Sequence, residues 1–165
     1  MQFLVCGLLW FSAIGCGVMA GVYFAFSVFV MPALGRIDQA GGMAAMNAIN
    51  VDILSSLFMP LFFGTSLAAF SLAILALVHW GEAGTVSMLV GGFLYVGGML
   101  IVTVAFNVPL NDTLAAADPG TPASGAIWAR FLSEWTVWNH IRAVASAVAS
   151  GLFISALISR AAAAI

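Results

Sequence analysis

Four long apolar runs without a charged residue alternate with polar connections along the chain. They cover residues 3–30, 53–78, 86–106 and 143–159. Each is close to or longer than the roughly 20 residues with which an α-helix crosses the hydrocarbon core of a bilayer. A cleaved signal peptide is the competing interpretation of the first run, but no basic segment precedes that run and it exceeds the usual apolar length of about 7–15 residues. The pattern predicts an all-α protein, an integral membrane four-helix bundle that forms one domain over residues 1–165.

The connections between the runs differ in length. A short turn at residues 79–84 joins the second and third runs, whereas residues 31–52 and 107–142 form long polar connections. In a four-span bundle both long connections lie at the same end, so the polar residues are expected to converge there. Proline lacks a backbone N–H and its ring clashes with the preceding turn. We therefore expect Pro32 and Pro109 to end the first and third helices and Pro60 to kink the second.

Small residues recur at four-residue spacing in two of the runs. Gly17 and Gly21 form such a pair in the first run. The last run carries a ridge of small residues: Ala143, Ala147, Gly151, Ser155 and Ser159. Small residues let helices approach closely in a bilayer, where van der Waals packing drives association. The ridge is expected to face another helix, and a homo-oligomer could form through such faces.

Composition supports a membrane location. Charged residues make up 6% of the chain and hydrophobic residues 64%, whereas about a quarter of the residues in soluble domains are charged. The expected partner is the lipid bilayer. A net charge of −2 with only four basic residues excludes a nucleic-acid-binding surface. Because Arg36, Arg130 and Arg142 lie in or next to the long connections, the positive-inside rule favours a cytoplasmic location for that end.

The connection at residues 107–142 carries most of the polar chemistry. Asn107 and Asn111 flank Pro109, a pattern typical of a turn, and their amides either cap that turn or bind a ligand. Residues 126–142 have helical periodicity and are expected to run into the fourth span.

Trp135 and Trp138 beside Arg142 have a structural explanation, an aromatic belt with a snorkelling cation at the membrane boundary. However, polar and charged groups near the acyl region are costly unless they pair or line a cavity. The groups concerned are Glu134, Asn139, His140 and Arg142. The sequence therefore predicts a polar pocket here. Its expected partners in the other long connection are Asn47, Asn50 and Asp52.

Several short motifs occur together from one end of the chain to the other. They are Gly21, Phe26-Ser27 and Val30-Met31-Pro32-Ala33-Leu34; Met46 and Ile49-Asn50; Phe58, Phe62 and Gly64; Asn107-Val108-Pro109-Leu110-Asn111; and Trp135, Trp138-Asn139 and Arg142. Through this combination the chain resembles the anthrone oxygenase-like family of small four-span membrane proteins. The members with an assigned activity oxidise polyketide anthrones to anthraquinones without a known cofactor. The resemblance implies an oxygenase that needs no cofactor, acts on a lipophilic aromatic molecule with O2 and resides in a bacterial inner membrane as a multi-pass protein.

Such chemistry needs a base, donors for an oxyanion and a flat apolar surface. His140 is the candidate base because an imidazole titrates near neutrality, with Glu134 or Asp52 as substitutes. The candidate oxyanion donors are Arg142, Asn111, Asn139 and Asn107. The candidate substrate-binding residues also include Trp135, Trp138, Phe106, Phe26 and Asn50.

Other functional classes stay open at the level of sequence. A binding or carrier protein would hold a lipophilic aromatic molecule or a lipid in the same pocket without turnover. A metal or haem enzyme is disfavoured, and no metal site is expected, because His79 and His140 belong to opposite ends of the predicted bundle. Proton-coupled transport is disfavoured because no acidic residue lies within a predicted span.

Overall fold

Helices dominate the computed structural model, which describes residues 2–164. They are α1 (Gln2–Leu34), α2 (Gln39–Ser55), α3 (Phe58–Val78), α4 (Thr85–Ala115) and α5 (Ser124–Ala162). All but α2 are long and apolar enough to cross a membrane. The predicted all-α membrane four-helix bundle is confirmed, and so is the continuation of the Trp-rich helix into the fourth span.

The four spanning helices pack in a ring, in which α1 and α4 each contact both α3 and α5. On the side of the 79–84 turn the fully buried side chains of the core include Leu9, Leu72, Met88 and Phe153, and a pocket of about 420 Å³ with several polar lining residues, among them His79 and Glu82, lies at the end of the bundle. We call this part the closed half. At the other end a second cluster is formed by Met31, Met43, Met46, Leu110, Leu114, Trp128, Phe131 and Trp135. We call that end the open half.

Helix α2 contains most of the first long connection and lies across the open half, where it contacts the second long connection. It contacts the end of α1, the start of α3, the last turns of α4 and the first turns of α5. Gln39 Nε2 donates a hydrogen bond of 2.6 Å to Ser124 Oγ at the start of α5. The expected meeting of the two long connections is therefore present in the fold.

The predictions for Pro109 and Pro60 are wrong, because neither interrupts a helix where it was expected to, whereas α1 ends at Leu34, two residues after Pro32. Pro32 lies inside α1 and Pro109 inside α4, and each follows a π-helical segment, Phe26–Val30 and Thr103–Asn107 respectively. A wide π turn shifts the carbonyl with which the proline ring would clash, so the helix continues. Pro60 lies in the first turn of α3, where a missing N–H leaves no helical hydrogen bond unmade.

The prediction for the small-residue ridge is also wrong within this chain. Ala147, Gly151 and Ser155 are exposed on the outside of α5. The buried face consists of Ala145, Ala149, Phe153 and Ala156. Asn139 and Arg142 point into the bundle, and residues three or four positions apart follow them onto the same face. Assembly through the exposed ridge stays a prediction.

Candidate functional site

A cavity of about 240 Å³ lies in the open half, between α1, α2, α3, α4 and α5. Most of its wall is apolar, and the polar side chains in its lining are Tyr23, Asn50, Thr103, Asn111, Asn139 and Arg142. Both long connections and all four spans contribute to the wall. Because its volume exceeds that of the roughly 150 Å³ apolar cavity that holds a benzene molecule, the cavity can accept a small ring system.

Arg142 is the only cation in this lining, and it is 6% exposed. Its Nη2 donates to Asn139 Oδ1 at 2.7 Å and its Nη1 to Thr103 Oγ1 at 3.3 Å. Its Cζ lies 4.3 Å from the centroid of the Tyr23 ring and 5.1 Å from that of Trp135. Two aromatic faces and two neutral acceptors thus hold the guanidinium in place, while its buried Nε has no hydrogen-bond partner.

No carboxylate neutralises Arg142 in the part of the chain that the structure describes. The two ion pairs found there, Arg130 with Glu134 and Arg160 with Glu82, lie elsewhere. A buried cation without a counter-ion is costly, and within a membrane it marks a functional site by default. The cavity therefore carries one uncompensated positive charge.

Asn139 connects this cation to α1. Its Nδ2 donates to the carbonyl oxygen of Tyr23 at 2.6 Å and to Ser27 Oγ at 2.7 Å, and its Oδ1 accepts from Arg142. The fully buried amide is thereby fixed in one orientation. We assign Asn139 the role of orienting Arg142.

Side-chain amides surround Trp135 at the polar side of the cavity. Trp135 Nε1 donates to Asn111 Oδ1 at 2.9 Å, and Asn107 Nδ2 donates to the Trp135 carbonyl oxygen at 3.2 Å. Asn50 lines the cavity, and its buried Nδ2 has no hydrogen-bond partner. Since the oxygen of Asn111 is engaged, its NH2 group is the part left to donate. Donors to a ligand are thus available from α2 and α4.

Aromatic rings form part of the apolar wall. Phe26 and Trp135 lie with their centroids 5.9 Å apart, and Trp135 continues a stacked series with Phe131 and Trp128 at 5.8 Å spacings. Tyr23 meets Phe58 edge to face at 6.3 Å. Such rings offer flat apolar surfaces to a planar ligand.

The structure brings together only part of the predicted site. Phe26, Asn50, Asn111, Trp135, Asn139 and Arg142 line the cavity, and Asn107 lies directly behind Trp135. His140 and Asp52 are exposed and do not line it. A helix turns by about 100° per residue, so His140 faces outward when its neighbour Asn139 faces inward.

Two further predicted residues of α5 lie outside the cavity lining. Glu134 pairs with Arg130 at 2.9 Å, where both are largely exposed. Trp138 stacks on Phe106 with 3.7 Å between the ring centroids. The pair Trp138 and Phe106 therefore fits the aromatic-belt interpretation, whereas Trp135 belongs to the cavity.

Sequence reasoning missed several side chains of the site. Tyr23 and Thr103 touch the guanidinium, and Ser27 accepts from Asn139. The available signal was the pair of polar residues four positions apart, Tyr23 and Ser27, within an apolar span, because such a pair lies on one helix face.

Comparison with known proteins identifies a family for the chain. The sequence pattern of the family described as anthrone oxygenase matches residues 54–152, which include the cavity residues of α3, α4 and α5. No curated protein and no solved structure matches the chain. The matched residues make up well over half of the 165-residue chain, and the protein therefore belongs to the anthrone oxygenase family.

Proposed function

We propose that the cavity binds a planar lipophilic phenol or enol, that Arg142 stabilises its anion, and that the bound anion reacts with O2 to give a quinone. The observation that carries this proposal is the buried guanidinium without a carboxylate partner, in a cavity with mostly apolar walls. An anionic ligand oxygen would supply the missing counter-charge. Membership of the anthrone oxygenase family supports an anthrone-type molecule as the ligand.

The electrostatics favour ionisation of such a ligand. A cation within a few ångströms lowers the pKa of a bound hydroxyl group by stabilising its anion. The effect is stronger away from bulk water, where charges interact through a lower effective dielectric constant. Since no carboxylate or imidazole is present among the lining residues, the proton would pass to a water molecule that enters with the ligand.

The oxidation of anthrone can be written so that atoms and electrons balance. Loss of a proton from the methylene carbon gives an enolate, with most of its charge on the oxygen near Arg142. One electron passes from the enolate to O2, the two radicals combine at that carbon, and the peroxide takes up a proton. Loss of the remaining C–H proton with cleavage of the O–O bond forms the second carbonyl. One oxygen atom stays in the quinone and the other leaves as water.

The decisive experiment uses the purified protein in lipid nanodiscs. Wild-type protein is expected to accelerate quinone formation from anthrone above the autoxidation rate and to shift the absorbance of the bound ligand towards its anion. Arg142→Gln is expected to lose about 10- to 100-fold of this rate, because hydrogen bonds to charged groups contribute about 1.5–3 kcal/mol. Arg36→Gln, which removes an exposed arginine outside the cavity lining, is the matched control. Unchanged autoxidation together with no anthrone binding contradicts the proposal.

One observation favours a second candidate, a carrier that binds the same class of ligand without turnover. The cavity lining contains no carboxylate or imidazole that could act as a base. In this case anthrone or a related phenol would bind with Arg142-dependent affinity, and mass spectrometry after aerobic incubation would recover it unchanged. Recovery of the quinone at the autoxidation rate only would therefore favour the carrier over the oxygenase.

A further inference from the structure

One side of the cavity is bounded by residues on the outside of the bundle. Leu54, Phe63 and Val104 line the cavity and are 65%, 58% and 61% exposed. Val108 lies one turn beyond Val104 and is also an exposed lining residue. We call this boundary, formed by Leu54, Phe63, Val104 and Val108, the lateral opening.

The lateral opening faces the bilayer. Phe63 lies in the spanning helix α3, and Val104 and Val108 lie in the spanning helix α4. Exposed apolar side chains on spanning helices contact acyl chains, and this opening has only apolar residues at its rim. A molecule dissolved in the membrane could therefore reach the cavity without crossing a polar surface.

The aqueous side is more strongly covered. Helix α2 lies over that end, and Gln39 ties it to Ser124 at 2.6 Å. Trp128 of α5 packs so closely on Gly42 of α2 that a methyl group at Gly42 would lie 2.8 Å from the indole ring. The hydrogen bond between Trp135 and Asn111 bridges α5 and α4 beside these contacts. Access from water would require these contacts to separate.

The size of the cavity limits what it can enclose. Its volume of about 240 Å³ lies below the usual range of ligand pockets, about 300–1,000 Å³. A ring system bound at Arg142 would occupy most of this space. Any long hydrocarbon chain on the ligand must then lie outside the cavity, and the apolar way out is the lateral opening.

We infer that the ligand is a membrane amphiphile: its phenolic or enolic ring binds at Arg142, and its hydrocarbon chain passes through the lateral opening between α3 and α4 into the acyl region. The ring chemistry rests on the proposed function. The position of the chain and the access route from the bilayer are additional to it.

A long-chain alkylphenol with a photoreactive diazirine on its chain tests this inference, because such a molecule stays in the bilayer. The protein in nanodiscs is irradiated with this probe, and labelled peptides are mapped by mass spectrometry. Labelling is expected to concentrate at residues 54–63 and 104–108. Excess anthrone is expected to reduce it, because both molecules compete for the ring site.

Blocking variants make the test specific. Val104→Trp narrows the lateral opening and is expected to reduce the anthrone-sensitive labelling at least fivefold. Val86→Trp is the matched control, since Val86 is also 61% exposed and lies near the other end of the same helix. Its labelling is expected to equal that of the wild type. Thermal unfolding of both variants establishes that each is folded.

The labelling pattern can overturn the inference. Labels spread evenly over all lipid-facing helices, with no effect of anthrone or Val104→Trp, would show that the hydrocarbon chain of the ligand does not use the lateral opening. If anthrone still bound and was oxidised in that experiment, the proposed function would stand while the amphiphile and its route would not. If anthrone itself failed to bind, the proposed function would fail first.

Discussion

The closed and open halves of the bundle are built from the same four spanning helices but pack differently. In the closed half the helices touch closely, and a methyl group at Gly92 would lie 2.6 Å from the carbonyl oxygen of Ala69. In the open half they surround a cavity of about 240 Å³. Ser12, Thr65 and Tyr95 have buried hydroxyls without a hydrogen-bond partner, but these are neutral, whereas the open half buries the cation of Arg142. Under the proposed function, the closed half stabilises the fold and the open half holds the ligand.

Irregular helix geometry is concentrated around the cavity. The π-helical segments Phe26–Val30, Thr103–Asn107 and Phe131–Trp135 all contribute residues to its wall. A further π-helical segment, Val96–Ile101, leads into them along α4. A π turn adds a residue to the helix and reorients the side chains that follow it, and such turns are frequent at functional sites. In this protein they carry α1 and α4 through their prolines while keeping a wall around the cavity.

The largest effect is expected for Phe153→Ala in the closed half. The fully buried ring would leave a void of roughly 100 Å³, and the cavity term at ~24 cal/mol per Å³ together with the lost transfer free energy gives a cost of about 3–5 kcal/mol of unfolding free energy. Phe26→Ala is the control in the open half, where the half-buried ring already borders the cavity. Its expected loss is below about 1 kcal/mol. Unfolding in mixed micelles measures both, and equal losses would contradict the division into two halves.

Arg142→Gln should separate stability from binding. Burial of a cation without a counter-ion is costly, and its removal should offset the lost contacts of the guanidinium, so the ligand-free protein should keep its unfolding free energy within about 1 kcal/mol of the wild type. The stabilisation that anthrone gives the wild type should largely disappear, because the neutral amide carries no charge to attract the anion. Unfolding midpoints with and without anthrone provide the measurement. A loss of about 3–5 kcal/mol without ligand would instead identify Arg142 as a structural residue.

Gly92→Ala tests the close contact of α3 and α4. The added methyl group would meet the backbone oxygen of Ala69, which cannot rotate away, and overpacking costs about 1–3 kcal/mol. Gly97→Ala in the same helix has open space around it and should stabilise the protein by about 0.5–1 kcal/mol. Anthrone affinity should stay within twofold of wild type in both. A change in affinity comparable to that of Arg142→Gln would show that the two halves are coupled.

The smallest effects concern neighbouring polar residues of α2. Asn50→Ala should weaken anthrone binding about three- to fivefold, because one neutral hydrogen bond contributes about 1 kcal/mol. Asp52→Ala should change it by less than twofold, since Asp52 is exposed and does not line the cavity. Isothermal titration in nanodiscs can resolve this difference. Equal effects of the two substitutions would show that the cavity wall extends to Asp52.

The pattern of the chain predicted the architecture and the end of the bundle at which the cavity lies. Uncharged runs of about 20 residues indicate spanning helices because a bilayer leaves no other way to satisfy backbone hydrogen bonds in a single segment. The placement of both long connections at one end follows from the number of spans. Arg142 and Asn139 were candidates because polar groups close to the acyl region need a cavity or a partner, and Asn111 was one because amides that flank a proline either cap a turn or bind a ligand.

Only the tertiary structure decided which way each polar side chain faces. Asn139 and His140 are neighbours in sequence, but the packing of α5 fixes its rotation, so one amide is buried and the imidazole is exposed. Helix rotation depends on contacts with α1 and α4 that no local pattern contains. The continuation of α4 through Pro109 was also not predicted, since no sequence pattern announced the π-helical segment that precedes this proline. The local sequence thus determines helices and polar ends, and long-range packing determines the site.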